Sequence, residues 1–221
     1  VVFPQAGLTK RAVAGYHAEM AGRMLVEMAD RPLALVRLPE GLDGERFFQK
    51  HPGTGFPDAV KRMTLAEKDG SEATYMHVAD AAGLVAAAQM GTLEFHIQGI
   101  RRDRPDRPDR MVFDLDPDED LPFAETATAA ADLRDRLAAL DLPSWPLVTG
   151  GKGVHVVVPL RRIAGQDSVT LFARIFATAL ARAEPDRFTA SMSKARREGR
   201  IFVDWLRNGR GATAIAPFSL R

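Results

Sequence analysis

"RMVFDLDPDED", Arg110 to Asp120, reads as a strand that ends in acid. Met111, Val112, Phe113 and Leu115 carry the strand, yet Asp114 and Asp116 interrupt it. Strand side chains alternate faces, so Met111, Phe113 and Leu115 point into a core while the two carboxylates share the opposite face. Like charges this close repel unless a cation sits between them. Hard oxygen donors suit magnesium or manganese. A third acid, Asp204, lies in "RIFVDWL" between Val203 and Trp205, where an unpaired carboxylate would be costly. The plainer reading is that these acids end strands and cap turns. An Asp embedded in a second apolar strand weighs against it.

Downstream of the acids, "TGGKG" (Thr149 to Gly153) precedes "VHVVVPL". It is not a Walker A loop, because Pro146 stands where that motif needs Gly and Gly153 where it needs Ser or Thr. Gly150, Gly151 and Gly153 nevertheless let backbone N–H groups approach an anion, and Lys152 adds charge. An ordinary hairpin turn is the alternative. His155 shares a strand face with Val157, opposite Val154, Val156 and Val158. A satisfied core histidine is its commonest explanation. His96, on one face of "TLEFHIQGI" with Glu94, carries the same ambiguity.

Around these motifs the pattern alternates. "LTKRAVAGYHAEMAGRMLVEMAD" predicts a helix capped by Thr9, with Val13, Tyr16, His17, Met20, Met24 and Met28 at helical spacing. His17 and the methionines read as core. "LALVRL" (33–38) predicts a strand stopped by Pro39, and 41–58 a turn-rich loop holding Phe47 and Phe48. Residues 74–78 predict a strand, 79–90 an Ala-rich helix and 92–100 a strand. The prolines of 101–110 prevent regular structure. Residues 124–140 predict a helix with Ala129, Ala130, Leu133, Leu137 and Leu140 on one face. Asp167 or Ser168 is expected to cap another helix, carrying Phe172, Ile175, Phe176, Ala179 and Leu180. Residues 154–160 and 200–206 predict further strands. This order suggests α+β, with a curved sheet covered by helices.

The 221 residues are 46% hydrophobic and 27% charged, an ordinary globular mixture with enough length for a sizeable core. With 0 Cys there is no disulfide framework and no thiolate zinc site. The start, "VVFPQAGLTK", is no signal peptide, and no apolar run approaches membrane-spanning length. A cytoplasmic protein is the expectation. Net charge is only +1, but basic residues crowd into 99–110, 193–200 and 207–211, around the acidic stretch. Three basic runs flanking one candidate site favour a polyanionic ligand.

Taken together, "VFDLDP", "TGGKGVHVVVPL", "FVDW" and "TAIAPFSLR" resemble the polymerase domain of bacterial ligase D, of the archaeo-eukaryotic primase superfamily. "LTK", "RPLALVRLPEGLDGERFFQK" and "LEFHIQ" fall upstream in the same order. The resemblance implies an α+β fold of mixed and antiparallel sheets forming a central cleft, flanked by helices. It implies one catalytic domain over 1–221, with an N-terminal part (1–100) and a part carrying the metal and Gly-Lys motifs (101–221). The family starts with an earlier strand and continues past Arg221, so a trimmed domain or a compact relative is expected.

For the site, the resemblance implies two manganese or magnesium ions on Asp114, Asp116 and Asp204. It implies an incoming triphosphate held by His96, Thr149, Gly150, Gly151, Lys152, His155 and Arg221. Lys10, Arg37, Phe47 and Phe48 would meet DNA, with Lys10 on a 5′-phosphate. The implied activity adds ribo- or deoxyribonucleotides to a primer 3′-hydroxyl during non-homologous end joining. The implied partners are gapped or broken DNA, nucleoside triphosphates, Ku and a DNA ligase domain, near the nucleoid and away from membranes. The chain departs from the family pattern at Thr149 (usually Ser), Val36 (often Lys), Gln98 and Gly99 (often Pro-Trp) and Arg207 (commonly Gln). Two rivals stay open. One is a haloacid-dehalogenase-type phosphatase, which also places D-x-D at a strand end. The other is a catalytically weakened DNA-end-binding module.

Overall fold

A computed structural model describes residues 7–67 and 69–221. The opening stretch read above therefore lies partly outside the described residues. The chain divides into two compact units, one from Val1–Pro105 with Thr213–Arg221 and the other from Asp106–Ala212. Both are α+β.

In the first unit, helix α1 (Lys10–Met28) starts where Thr9 accepts a hydrogen bond from the Ala12 N–H. Val13, His17, Met24 and Met28 are buried as the spacing predicts, whereas Tyr16 and Met20 are only partly covered. The sheet is built from β1 (Leu33–Arg37), β2 (Phe47–Gln49), β3 (Lys61–Ala66), β4 (Glu72–His77), β5 (Thr92–Ile97) and β11 (Ala214–Ile215). Its order is β11-β5-β1-β4-β3, with β2 also paired to β1. Helix α2 (Ala81–Gln89) is capped by Asp80, which accepts from the Gly83 N–H. Leu33, Leu35, Phe95 and Ile97 share a core with Met24, Met28, Leu84 and Ala87 of the two helices.

Strands β2 and β3 differ from the sequence reading. The loop expected over 41–58 contains β2, because Phe47, Phe48 and Gln49 pair with Arg37, Val36 and Leu35. Strand β3 was not anticipated. It forms a hairpin with β4 through Asp69-Gly70-Ser71, where Gly70 takes a φ of +84° and Asp69 accepts from the Ser71 N–H and hydroxyl.

His17 is fully buried and meets the Phe95 ring edge-on, with centroids 5.1 Å apart. Burial pushes its pKa from 6.5 to about 4. Between those values the unfolded chain takes up a proton that the folded chain refuses. Stability should therefore fall as pH drops from about 6.5 towards 4, by on the order of 3 kcal/mol. Denaturant titrations across that window should show this loss, and His17→Phe should remove most of the slope.

The second unit holds β6 (Arg110–Pro117), α3 (Phe123–Ala138), β7 (Trp145–Val148), β8 (Val154–Pro159), α4 (Gln166–Ala183), β9 (Phe188–Thr189) and β10 (Ile201–Asp204). Its sheet runs β7-β8-β6-β10-β9, antiparallel except for the parallel β9–β10 pair. Met111, Phe113, Leu115, Val154, Val156, Val158, Ile201 and Val203 pack with Ala129, Leu133 and Leu137 of α3 and Val169, Ala173, Ala177 and Leu180 of α4. The helices thus cover one sheet face. Leu140 and Ile175 fall outside this core and are exposed. Helix α4 begins at Gly165 with no side-chain cap, so neither Asp167 nor Ser168 caps it. The strand expected to reach Leu206 stops at Asp204, where a 3-10 turn over Leu206–Asn208 takes over.

That turn returns Asn208 to β6. Its side-chain oxygen accepts from the Val112 N–H at 2.7 Å, and its amide donates to the Val112 carbonyl at 2.7 Å and the Trp205 carbonyl at 2.9 Å. The side chain continues the strand pairing that β10 abandons. Asn208→Ala would leave two buried backbone groups of β6 unpaired, at a cost of about 2–4 kcal/mol. A lower denaturant midpoint at unchanged slope is the expected readout.

Candidate metal and nucleotide site

The face of the second sheet away from α3 and α4 carries the polar residues. Asp114 on β6 stands opposite His155 on β8 and opposite Asp204 on β10. Directly opposed residues point the same way, so His155, Asp114 and Asp204 form one row across three strands. Asp116 follows two residues on, on the same face. Asp114, Asp204 and His155 are buried or nearly so, while Asp116 is half exposed.

Two arginines answer the three acids. Arg207 reaches Asp114 Oδ2 through Nη2 at 3.0 Å and Nε at 3.1 Å, and Asp204 Oδ2 at 3.2 Å. Arg197 donates to Asp116 at 2.5 Å and stacks over the Phe202 ring. His155 Nε2 lies 3.4 Å from Asp114 Oδ1. At Asp114 burial opposes ionisation, but His155 and then Arg207 outweigh it and hold the carboxyl below the usual range. At Asp204 the balance reverses. Burial raises its pKa, Arg207 and the Leu206 N–H oppose, and repulsion from Asp114 and Asp116 adds to the rise. Partners therefore outweigh burial at Asp114, whereas burial prevails at Asp204.

Among the described residues, no group of three His, Cys, Asp or Glu is gathered closely enough to hold a metal ion. Asp116 is drawn aside to Arg197. The donor set fits a divalent cation in chemistry. Its members are hard oxygens on the ends of adjoining strands, and two of them are in register.

The loop from Thr149 to Gly153 joins β7 to β8 as a hairpin. Gly150 takes a φ of +84°. A Cβ on Gly153 would sit 3.1 Å from the Leu115 carbonyl, so glycine allows the loop to close against β6 beside Asp114. The Thr149 hydroxyl donates to the Gly153 carbonyl at 2.9 Å and is buried. Gly151 and Lys152 are exposed, and Lys152 Nζ donates to the Glu119 carbonyl.

The first unit holds the remaining residues. His96 donates through Nε2 to Glu94 at 2.8 Å, and the other Glu94 oxygen accepts from Arg46 at 2.7 Å. Burial works against the Glu94 anion, but His96, Arg46 and Arg221 together keep its carboxyl below the ordinary range. The Phe48 ring meets His96 edge-on at 5.6 Å. Phe47 and Phe48 are exposed aromatics, and Lys10 opens α1. Arg37 is turned inward. Its guanidinium lies over Phe56 and donates to the Met90 carbonyl and Gln49. Val36 is buried, between Phe48 and Glu94 in the strand register.

Glu94, Arg46, Arg197 and Arg207 complete these clusters without having been singled out as site residues. The alternation of Glu94 with His96 was a usable signal, as was the i,i+3 spacing of Asp204 and Arg207. The pairing of Arg197 with Asp116, 81 residues apart, had none.

An acid-lined sheet face thus stands beside a glycine-lysine hairpin in a chain of two α+β units. The family described as "LigD, primase-polymerase domain" matches residues 9–221. The chain is 38% identical over its whole length to the multifunctional non-homologous end joining protein LigD of Pseudomonas aeruginosa, covering 26% of that protein. It is 36% identical to the LigD of Mycobacterium tuberculosis strain H37Rv, covering 30%. The solved polymerase domain of Mycobacterium tuberculosis ligase D in complex with DNA superposes with a TM-score of 0.92 at 35% identity, over all of this chain and 79% of that one. The chain belongs to the LigD primase-polymerase domain family. It spans less than a third of the length of these two curated relatives. Among the described residues, no helix is long and apolar enough to cross a membrane.

Proposed function

We propose that this chain transfers nucleotides to the 3′-hydroxyl of a primer at gapped or broken DNA, in the repair of double-strand breaks by non-homologous end joining. The observation that carries the reading is the row of Asp114 and Asp204, with Asp116 beside them, on the sheet face away from α3 and α4. Family membership supplies the polymerase class, and the relatives named above are end-joining proteins, one of them solved with DNA.

In this reading Asp114, Asp116 and Asp204 hold two divalent ions, manganese or magnesium. Held by these three carboxylates, such ions would supply Lewis acidity to the primer hydroxyl and positive charge to the departing pyrophosphate. No side-chain general base is then required. Lys152 and the N–H groups of Gly150 and Gly151 stabilise negative charge on the triphosphate, with Thr149 shaping their loop. His155 orients Asp114. His96 and Arg221 bind nucleotide phosphate. Phe47 and Phe48 offer stacking surfaces to bases, and Arg37 braces their strand through Gln49. The basic runs hold phosphates without reading sequence, and base pairing selects the nucleotide. Ku and a ligase domain are the partners that end joining requires.

The test is pyrophosphate release. It should need primer, template, nucleoside triphosphate and manganese or magnesium together. Release of inorganic phosphate from a small aryl phosphate instead would identify the phosphatase alternative.

Lys10 provides a narrower test. Exposed N–H groups at a helix start favour anions, and a terminal 5′-phosphate carries more charge than an internal one. Gapped duplexes with a 5′-phosphate should bind better than unphosphorylated ones at one fixed salt concentration, and Lys10→Ala should make the two equal. Equal binding by the unmodified chain would leave Lys10 an ordinary surface residue.

A further inference from the structure

The group that sits between Asp114 and Asp204 is itself a cation. Arg207 places two nitrogens on Asp114 Oδ2 and one on Asp204 Oδ2, all within 3.2 Å. The other oxygen of each acid is engaged as well, Asp114 Oδ1 by His155 at 3.4 Å and Asp204 Oδ1 by the Leu206 N–H at 2.8 Å. A guanidinium is always charged and donates only, so at these oxygens it repels an arriving divalent ion and takes up acceptor sites the ion could use.

The backbone under Arg207 is fixed. It lies in the 3-10 turn after β10, next to Asn208, whose side chain is bolted to Val112. The side chain is not fixed in the same way. It is 42% exposed, and among the described residues its partners are these two carboxylates. A long arginine on a rigid stem can therefore swing off the acids without unfolding anything.

We propose that Arg207 is a built-in competitor for the metal site. It relieves the repulsion between Asp114 and Asp204, and it must leave their oxygens before a divalent ion can take them. The residue thereby sets the metal concentration at which the site loads. The inference rests on the nucleotidyl-transfer reading above. Formal charge points the same way. Three carboxylates against Arg207 and Arg197 leave one net negative charge, and neutralising Arg207 leaves two.

The test is direct binding of manganese to the full chain, without DNA or nucleotide, followed by the electron paramagnetic resonance signal of the free ion. Arg207→Gln should bind manganese roughly tenfold more tightly, the scale of one charge-assisted contact moderated by solvent exposure. Arg207→Lys keeps the charge but loses the two-pronged grip, and should fall between the two. A thermal melt of each variant checks that it is folded. Asp114→Asn separates the layers of the argument. If it abolishes binding while Arg207→Gln and Arg207→Lys leave affinity unchanged or weaker, the competition is wrong and the carboxylate site stands. If Asp114→Asn leaves binding intact, the metal site assigned above is wrong, and the role of Arg207 falls with it.

Discussion

Asp204→Ala should reduce the rate of primer extension by on the order of a thousandfold while leaving the chain folded. Removing one carboxylate from a site of three disturbs charge stabilisation worth several kcal/mol at the reacting oxygens. The structural cost is small by comparison. Asp204 is buried at the end of β10, accepts from the Leu206 N–H at 2.8 Å and pairs with Arg207. Burial and its two acidic neighbours raise its pKa above the ordinary aspartate value. The ionised form is therefore strained in the fold, and its removal releases that strain. Asp204→Asn keeps the acceptor for Leu206 without the charge, and should melt no lower than the parent chain. Single-turnover extension beside a thermal melt reads both halves. Wild-type extension by either variant would remove Asp204 from the site.

Lys152→Ala should raise the apparent nucleotide KM about ten- to hundredfold and leave DNA affinity unchanged. Loss of one charge-assisted contact corresponds to about 1.5–3 kcal/mol. The lysine sits at the tip of the β7–β8 hairpin, two residues from the start of β8, is exposed, and donates to a backbone carbonyl of the 118–121 turn. Little of the fold depends on that contact. A variant with unchanged nucleotide KM and weakened DNA binding would place Lys152 on the DNA instead.

How far the sequence carried this reading depended on whether the deciding contacts were local. The alternation in 110–116 identified β6, its buried face and its acidic face, because period-two patterning is a property of neighbouring residues. The same holds for α1, where Thr9 and the run from Val13 to Met28 lie within one helix. The faces of α3 and α4 were less legible. Leu140 lies beyond the last turn of α3, and Ile175 points away from a core that takes the smaller Ala173 and Ala177. Close helix–sheet packing selects small residues that a search for bulky apolar ones passes over. Strands β2 and β3 are short, largely exposed and held by their partners, so their residues alone did not declare them.

At the site the contrast is sharper. The carboxylates could be named from the chain, but the register that sets Asp114 opposite Asp204 is a long-range pairing. Arg207 reaches Asp114 across 93 residues, and Arg46 reaches Glu94 across 48. Such contacts become visible only once the sheets are assembled. The last nine residues make the same point, since Ala214 and Ile215 return to pair with Ile97 and His96 of the first unit.

Nucleotidyl transfer at the acidic sheet face is the activity proposed for this chain. Its most direct test is extension of an end-labelled primer in a gapped duplex with manganese, offering ribonucleotides and deoxyribonucleotides in separate reactions. Primers lengthened by template-matched nucleotides are expected, with no product in chelator or with Asp114→Ala. A chain that binds the gapped duplex yet leaves every primer unextended, with either nucleotide, would contradict it and leave a DNA-end-binding module in its place.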